Sequence, residues 1–569
     1  MLKNKNNVQL LVITIICVIA INWLSELVYK RFDLTQDKRF TLSEAAKTTI
    51  ASVETPLVID IFLEGKLPSE FKRLKIETEQ LLKEFSAYNS NIKYQFIDPL
   101  EDTEYRLAVQ QQLAKLGLKG AQVEIRENSK ISTETVYPWA LAYFNERTVP
   151  IPLLKNTLGA STKERVNNSI QNLEYAFADG FGKLTQPKRR KVAVLKGNAE
   201  MDDRYIADFI KTLREYYYIG KFTMDSVATN PQRTLETLND YDLLVIAQPQ
   251  QAFTENEKYV LDQYTMNGGT SLWMVDATAQ KLDTVSGNAF VFSQDLGLND
   301  LFFKYGVRVN SDLIKAVPSA FIVLASGQER DAQYNRYPWL YSPLSSKNNE
   351  HPIATNIEAV KFDYISTIDT LPNALKKTIL LRSSPFSKIV GLPVEIDIDK
   401  EIPKSLKIVN DGPTPQEFNG GQIPLAVLIE GEFHSVYENR VKPFEISGNK
   451  EISIPTKMVV ISDGDVIRNQ LDRNRPLELG FDKWTNTFYG NKEFLLNTVN
   501  YLLDDSGLIN IRGKEIAVPF LDPQRTADKR TQWQVINLLL PLGLLALFGI
   551  FFRYIRKKKY SGVSTGRST

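Results

Sequence analysis

Apolar residues gather first into two long runs, one near each end of the chain. Val8 to Leu24 is interrupted only by Gln9, Thr14 and Asn22, with Trp23 and Tyr29 near its far end. At about 1.5 Å per residue, Val8 to Tyr29 is long enough to cross a hydrocarbon core of about 30 Å. The stretch after Ala20 lacks the small residues of a cleavage site, so an uncleaved anchor is expected rather than a signal peptide. The second run, Val535 to Phe552, has Trp533 at its entrance, Pro541 and Gly543 within it, and Arg553, Arg556, Lys557, Lys558 and Lys559 behind it. Basic flanks stay cytoplasmic. Two spans require both termini on that side, which sends Arg31 to Thr531 outward, into the periplasm of a bacterium.

Between the runs, shorter patterns alternate. Thr41-Leu-Ser-Glu44 has the spacing of a capping box. Pro56 to Leu63 reads as a buried strand, Phe71, Leu74, Thr78, Leu81, Leu82 and Phe85 as one helix face, and Ile92 to Ile97 as a second strand ended by Asp98-Pro99. A helix at Leu107 to Leu116 and strands at Ala121 to Glu127, Thr133 to Phe144 and Arg147 to Ile151 follow. This order gives an α/β domain of thioredoxin-like kind, without redox cysteines. Val166, Ile170, Leu173, Phe177 and Phe181 form another helical stripe that ends near Gly182, and Gln186 to Lys191 is a charged turn at a domain boundary.

Beyond it, strand and helix patterns alternate as in a doubly wound fold, Rossmann- or glutamine-amidotransferase-like. Val192 to Leu195 is a strand; Asp202 is expected to cap a helix carrying Ile206, Phe209, Ile210, Leu213 and Tyr217. Tyr241 to Ala247 and Ser271 to Val275 are strands around a helix at Glu255 to Met266 that Gly268-Gly269 stops. From Leu298 to Lys457 the pattern weakens to strand-like pieces at Phe321 to Leu324, Thr378 to Leu381 and Leu425 to Ile429 among polar loops. Met458 to Ser462 and a helix bearing Phe494, Leu495, Thr498, Val499 and Leu502 are expected to complete the sheet begun at Val192. The expected division is an anchor at 1–30, the thioredoxin-like domain with its trailing helix at 31–185, the doubly wound domain at 186–525 with an insertion at about 300–456, and the second anchor with its basic tail at 526–569.

Composition narrows the function. Of 569 residues 43% are apolar and 24% charged, so the bulk should fold, while a net charge of +2 gives no reason to expect nucleic acid. Cys17 is the only cysteine, and His351 and His434 are the only histidines. A disulfide, a Cys-X-X-Cys pair, a thiolate zinc site and a histidine-based hydrolase are all excluded or disfavoured. No catalytic residue, metal or cofactor is expected. Two strand-end turns remain as candidate ligand sites. Lys196-Gly-Asn-Ala-Glu200 follows a strand and precedes a helix, where open α/β sheets bind ligands, although it has no phosphate-loop spacing. Ser462-Asp-Gly-Asp465 also follows a strand. Lys196, Asn198 and Asp463 are therefore the candidate binding residues, each set against the plainer reading of a structural turn. Lys188 to Lys191 reads as a solvated turn, and Tyr216-Tyr-Tyr218 as helix packing.

Several stretches together resemble the gliding-motility-associated ABC-transporter auxiliary family, and its G component most closely. They are Arg31-Phe-Asp-Leu-Thr35 with Arg39-Phe-Thr-Leu-Ser43, Leu195 to Glu200, Asp203 to Asp208, Asp262-Gln-Tyr-Thr-Met-Asn-Gly-Gly269 and Tyr489 to Asn497. The resemblance implies a multi-spanning permease and a cytoplasmic ATPase subunit as partners, and a non-enzymatic auxiliary role of the kind often labelled substrate-binding. It supplies no ligand residues, and position 198 is Asn where the family often has His in a Gly-His-Gly-Glu-like turn. On this reading the protein lies in the cytoplasmic membrane, in contact with lipid. A membrane-tethered envelope enzyme using the α/β edge, or a scaffold, is the alternative.

Overall fold

The computed structural model describes residues 13–18, 41–101, 104–127, 130–155, 159–282, 288–326, 333–346, 351–503, 507, 509, 511 and 528–560. Residues 1–515 form one compact unit and 516–569 a second. Of the first apolar run only residues 13–18 are described, and they are helical; the rest of that expected anchor lies outside the described residues.

The N-terminal lobe opens with α1 (Glu44–Ala51). Its cap is Ser43, whose side chain accepts from the Ala46 N–H, so the capping residue is not the expected Thr41. Strand β1 (Leu57–Ile61) is followed by α2 (Ser69–Tyr88) and β2 (Ile92–Phe96), parallel to β1. The expected strand from Thr133 to Phe144 is two strands. Lys130–Val136 pairs with Ala121–Glu127 in a separate hairpin, while β3 (Trp139–Phe144) pairs antiparallel with β1. Pro138 stands at the break, where a residue without an N–H cannot continue a ladder. With β4 (Arg147–Pro152) the sheet order is β2-β1-β3-β4. Helix α3 (Thr162–Thr185), started by a Ser161–Glu164 capping box, covers it. It runs a turn's length past the expected end, and Phe177 packs tilted and Phe181 edge-on against Phe85 of α2.

The large sheet has seven strands. β5 (Lys191–Lys196), β6 (Tyr218–Thr223), β7 (Leu243–Ala247), β8 (Thr270–Met274), β9 (Lys376–Arg382), β10 (Pro424–Gly431) and β11 (Thr456–Ile461) lie in the order β9-β10-β11-β8-β7-β5-β6. β5 to β8 and β11 are parallel, and β10 and β9 extend the sheet antiparallel. Every residue of β7 and β8 is buried, Thr270 and Ser271 included, as in central parallel strands covered on both faces. Alternate residues face opposite sides. Val194, Val245, Leu272 and Val459 pack against α4 (Ala207–Leu213) and α7 (Asn491–Leu503). Leu195, Ile246, Trp273 and Val460 pack against α5 (Pro231–Asn239) and α6 (Glu255–Met266).

Two expectations fail here. Asp202 accepts from the Arg204 N–H within a turn, and α4 begins only at Ala207 with Ile206 at its cap. Between Leu298 and Lys457 the strand-like pieces at Phe321 to Leu324, Thr378 to Leu381 and Leu425 to Ile429 do lie in strands, but the stretches expected as polar loops hold further ones: Asp312–Val317 pairs with Phe386–Gly391, and Gln333–Pro343 with Ser319–Ser326. Two-stranded ribbons with one solvated face carry too few apolar residues in a row to register as strands. In the second unit α8 (Arg530–Tyr560) is a continuous helix despite Pro541. Among the described residues Arg530–Lys558 is the one stretch long and apolar enough to cross a membrane.

Candidate functional site

The C-terminal ends of the parallel strands place four loops along one edge. After β5 comes the Gly197 to Glu200 turn, and after β7 comes Gln248. Asp276 follows β8, and Ser462 to Asp465 follow β11. β5 and β11 are three strands apart, about 14 Å at the usual spacing. Lys196 and Asn198 thus share one turn, and Asp463 belongs to a different cluster on the same edge.

The first turn is internally satisfied at most points. Lys196 Nζ donates to the Met201 carbonyl at 2.5 Å and lies 3.1 Å from Asp203. The Asn198 carbonyl accepts from the Gln250 and Gln251 N–H groups, both at 3.0 Å, which ties the β5 turn to the β7 turn at the point where strand order reverses. Its side-chain Nδ2 reaches Glu257 at 3.4 Å, in the first turn of α6. Asn198 Oδ1 and Glu200 Oε1 are buried with no protein partner. Burial raises the Glu200 carboxyl above its ordinary range, against the lowering influence of nearby backbone N–H groups and Lys196. Ala199 and Gln248, both in these turns, hold positive φ of 53° and 52°.

The second cluster is built from carboxylates. Asp463 is fully buried; its Oδ2 accepts from the Asp363 N–H at 2.8 Å and its Oδ1 from the Asp465 N–H at 2.6 Å. Asp276 accepts from the Gly464 N–H at 2.6 Å and from Gln248 Nε2 at 2.8 Å. Gly464 is required by this approach, because a Cβ there would meet Gln248 Cγ at 2.4 Å and Asp276 Oδ2 at 2.9 Å. Burial, then repulsion from Asp465, pushes Asp276 up to about 7. Burial and the neighbouring Asp276, Asp465 and Asp363 carry Asp463 well above the ordinary carboxylate range. Asp465 is raised by burial, and Arg468, paired at 2.8 Å, offsets part of that. Burial and mutual repulsion thus both work against full ionisation of these carboxylates. Asp276 and Asp363 were not singled out in the sequence, where each is a lone acid after an apolar stretch.

Outside this cluster a cleft of about 380 Å³ is lined by Tyr205, Lys361, Asp363, Asp465, Arg468 and Trp484, among others. Lys361 lies 2.9 Å from Asp363, which raises the ammonium pKa although burial opposes its charge. Arg468 lies over the Tyr205 ring at 4.8 Å. Charges of both signs beside aromatic faces suit an amphoteric ligand or a partner loop. Among the described residues no group of three His, Cys, Asp or Glu is placed to hold a metal ion. The histidines lie apart from both clusters: His351 packs edge-on against Tyr501, and His434 lies 3.3 Å from Glu438.

Among curated protein sequences none matches this chain. In solved structures the N-terminal domain of mmIFT52 aligns at 15% identity over 55% of this chain and 97% of that one, but its TM-score of 0.31 is too low to argue a shared fold. A family described as a domain of unknown function matches residues 36–143. The family described as an ABC-type uncharacterized transport system matches residues 189–498. That span is more than half of the chain and contains all seven strands of the large sheet, both carboxyl-edge turns and most of α7, so the protein belongs to this ABC transporter auxiliary family.

Proposed function

We propose that the protein is a non-enzymatic auxiliary subunit of an ABC transporter, fixed in the membrane beside a multi-spanning permease and served by a separate cytoplasmic ATPase. The observation that carries this reading is the family match over the large sheet, in a chain that also bears an apolar helix followed by Arg553, Arg556, Lys557 and Lys558. The chain has no nucleotide loop of its own. The basic flank favours a cytoplasmic C-terminus. With the first apolar run as a second span, the body lies in the periplasm. The N-terminal order β2-β1-β3-β4, covered by α2 and α3, supports a thioredoxin-like lobe without redox chemistry, and the resemblance in the sequence supports a place in a gliding-associated transporter.

Co-purification in mild detergent tests the reading. The intact chain should bring down a permease and an ATPase, and a chain lacking Trp533 to Thr569 should bring down neither. Recovery of the intact chain alone, in detergents that preserve other ABC complexes, would refute it.

A further inference from the structure

The turn after β5 buries two acceptors that no protein donor reaches among the described residues, Asn198 Oδ1 and Glu200 Oε1. Asn198 is only 4% exposed. A buried acceptor without a donor is costly, and two of them in one short turn call for a common cause.

The remaining polar atoms of both side chains are fixed. Glu200 Oε2 accepts from the Asn198 N–H at 2.9 Å, and the Gly197 and Glu200 N–H groups also act on this carboxyl. Asn198 Nδ2 donates to Glu257 Oε2 at 3.4 Å, an oxygen that also accepts from the Thr254 N–H and Oγ1. That carboxylate only accepts, so turning the Asn198 amide round would set one acceptor against another. Asn198 therefore cannot offer its own N–H groups to Glu200. The Glu200 carboxyl lies beside residue 198, whose carbonyl accepts from the Gln250 and Gln251 N–H groups and so ties the β5 turn to the β7 turn.

The charged neighbours are few. Lys196 on β5 is the nearby cation, and its Nζ is shared with the Met201 carbonyl and Asp203. Glu257 faces the turn from α6, and Asp225 lies beyond Gly197. The β7 turn contributes the neutral Gln248, Gln250 and Gln251. Burial, the largest influence, raises the Glu200 carboxyl against Lys196 and the backbone N–H groups.

We propose that Glu200 keeps its proton and donates a hydrogen bond from Oε1 to Asn198 Oδ1, forming a proton-dependent latch on the switch-point turn. One hydrogen then satisfies both buried oxygens, while Oε2 goes on accepting from the backbone. Loss of that proton leaves two acceptors together and loosens the hold of residue 198 on Gln250 and Gln251. The latch is complete below the ordinary carboxylate range and is released as pH rises through the raised pKa of Glu200. The inference stands apart from the transporter reading, because it concerns this turn alone.

Hydrogen exchange of the full chain in detergent tests the latch. Mass spectrometry reads the segment holding Gln250 and Gln251, with rates corrected for the intrinsic pH dependence of exchange. Wild-type exchange there should be about three- to tenfold faster at about pH 9 than at about pH 5. Glu200→Gln, whose amide can donate to Asn198 Oδ1 at every pH, should stay slow throughout. Glu200→Ala, which cannot donate, should be fast at both ends. A wild-type rate that ignores pH, or a Gln variant faster than wild type in acid, would overturn the latch in favour of an ionised Glu200 bridged by water. A pH response of the same size in the Gln variant would also overturn it, and would assign the response to Asp276, which holds nearby Gln248.

Discussion

Replacing Asp262 with alanine is the most direct test of how the long segment after β8 is tied to the sheet. Asp262 on α6 is fully buried. It accepts from Ser435 Oγ at 2.6 Å, the Val436 N–H at 2.8 Å, Tyr305 OH at 2.9 Å and Gln263 Nε2 at 3.2 Å. Three of these donors come from residues 305 and 435–436, so one carboxylate gathers three separate stretches of chain. Alanine strands those buried donors at about 1–3 kcal/mol each, and repacking and relief of the buried charge reduce the sum to about 3–5 kcal/mol. Asparagine keeps an acceptor for Val436 and Tyr305 and can donate to Ser435 Oγ, so Asp262→Asn should cost about 1 kcal/mol. Denaturant unfolding of the full chain in detergent measures both losses, and limited proteolysis should find new cuts in 432–455 for the alanine variant alone. An alanine loss below about 1 kcal/mol, or equal losses in the two variants, would refute the clamp.

Three further outcomes follow from the same geometry. Asp276 is raised in the folded state, so its contribution to stability is complete below the ordinary carboxylate range and is lost as pH rises through about 7. Asp276→Asn, with Gln248 free to turn its amide, should therefore flatten the fall in melting temperature between about pH 4 and pH 8, and parallel curves for the two proteins would contradict this. A Cβ on Gly269 would meet Tyr264 ring carbons at 2.4 Å, whereas one on Gly391 would meet nothing within 4 Å. Gly269→Ala should cost about 1–3 kcal/mol by chemical denaturation and Gly391→Ala less than about 0.5, and similar values would undo the packing argument. Gly464→Ala should disturb the carboxylate cluster in the same way, seen as a changed pH dependence of melting rather than only a lower midpoint.

Legibility from sequence tracked how much of each strand was buried. Tyr241 to Ala247 and Ser271 to Val275 declared themselves because both faces of a central parallel strand are covered and their runs are unbroken. Between Leu298 and Lys457 only the pieces at Phe321 to Leu324, Thr378 to Leu381 and Leu425 to Ile429 did, since ribbons such as Asp312–Val317 with Phe386–Gly391 alternate covered and solvated positions over a few residues. The site divided similarly. Asp463 stood out as part of Asp-Gly-Asp, but Asp276 and Asp363 meet it only through pairing of β8 with β11 and through a bond from a residue 100 positions away. The motif Asp262 to Gly269 was visible as a family likeness, whereas its physical content is a clamp at Asp262 and a ring seated over Gly269. Neither is encoded in local spacing.

The adjacency of β8 and β11 has a consequence for synthesis. These neighbours in the middle of the sheet are separated by about 180 residues of chain, so at roughly 5–20 residues per second β8 waits about 10–35 seconds for its partner. During that interval a five-residue strand, wholly buried in the finished sheet, presents a bare hydrogen-bonding edge, the feature that seeds mispairing between nascent chains. Shielding of that edge while the remainder is made is thus a requirement of the topology itself.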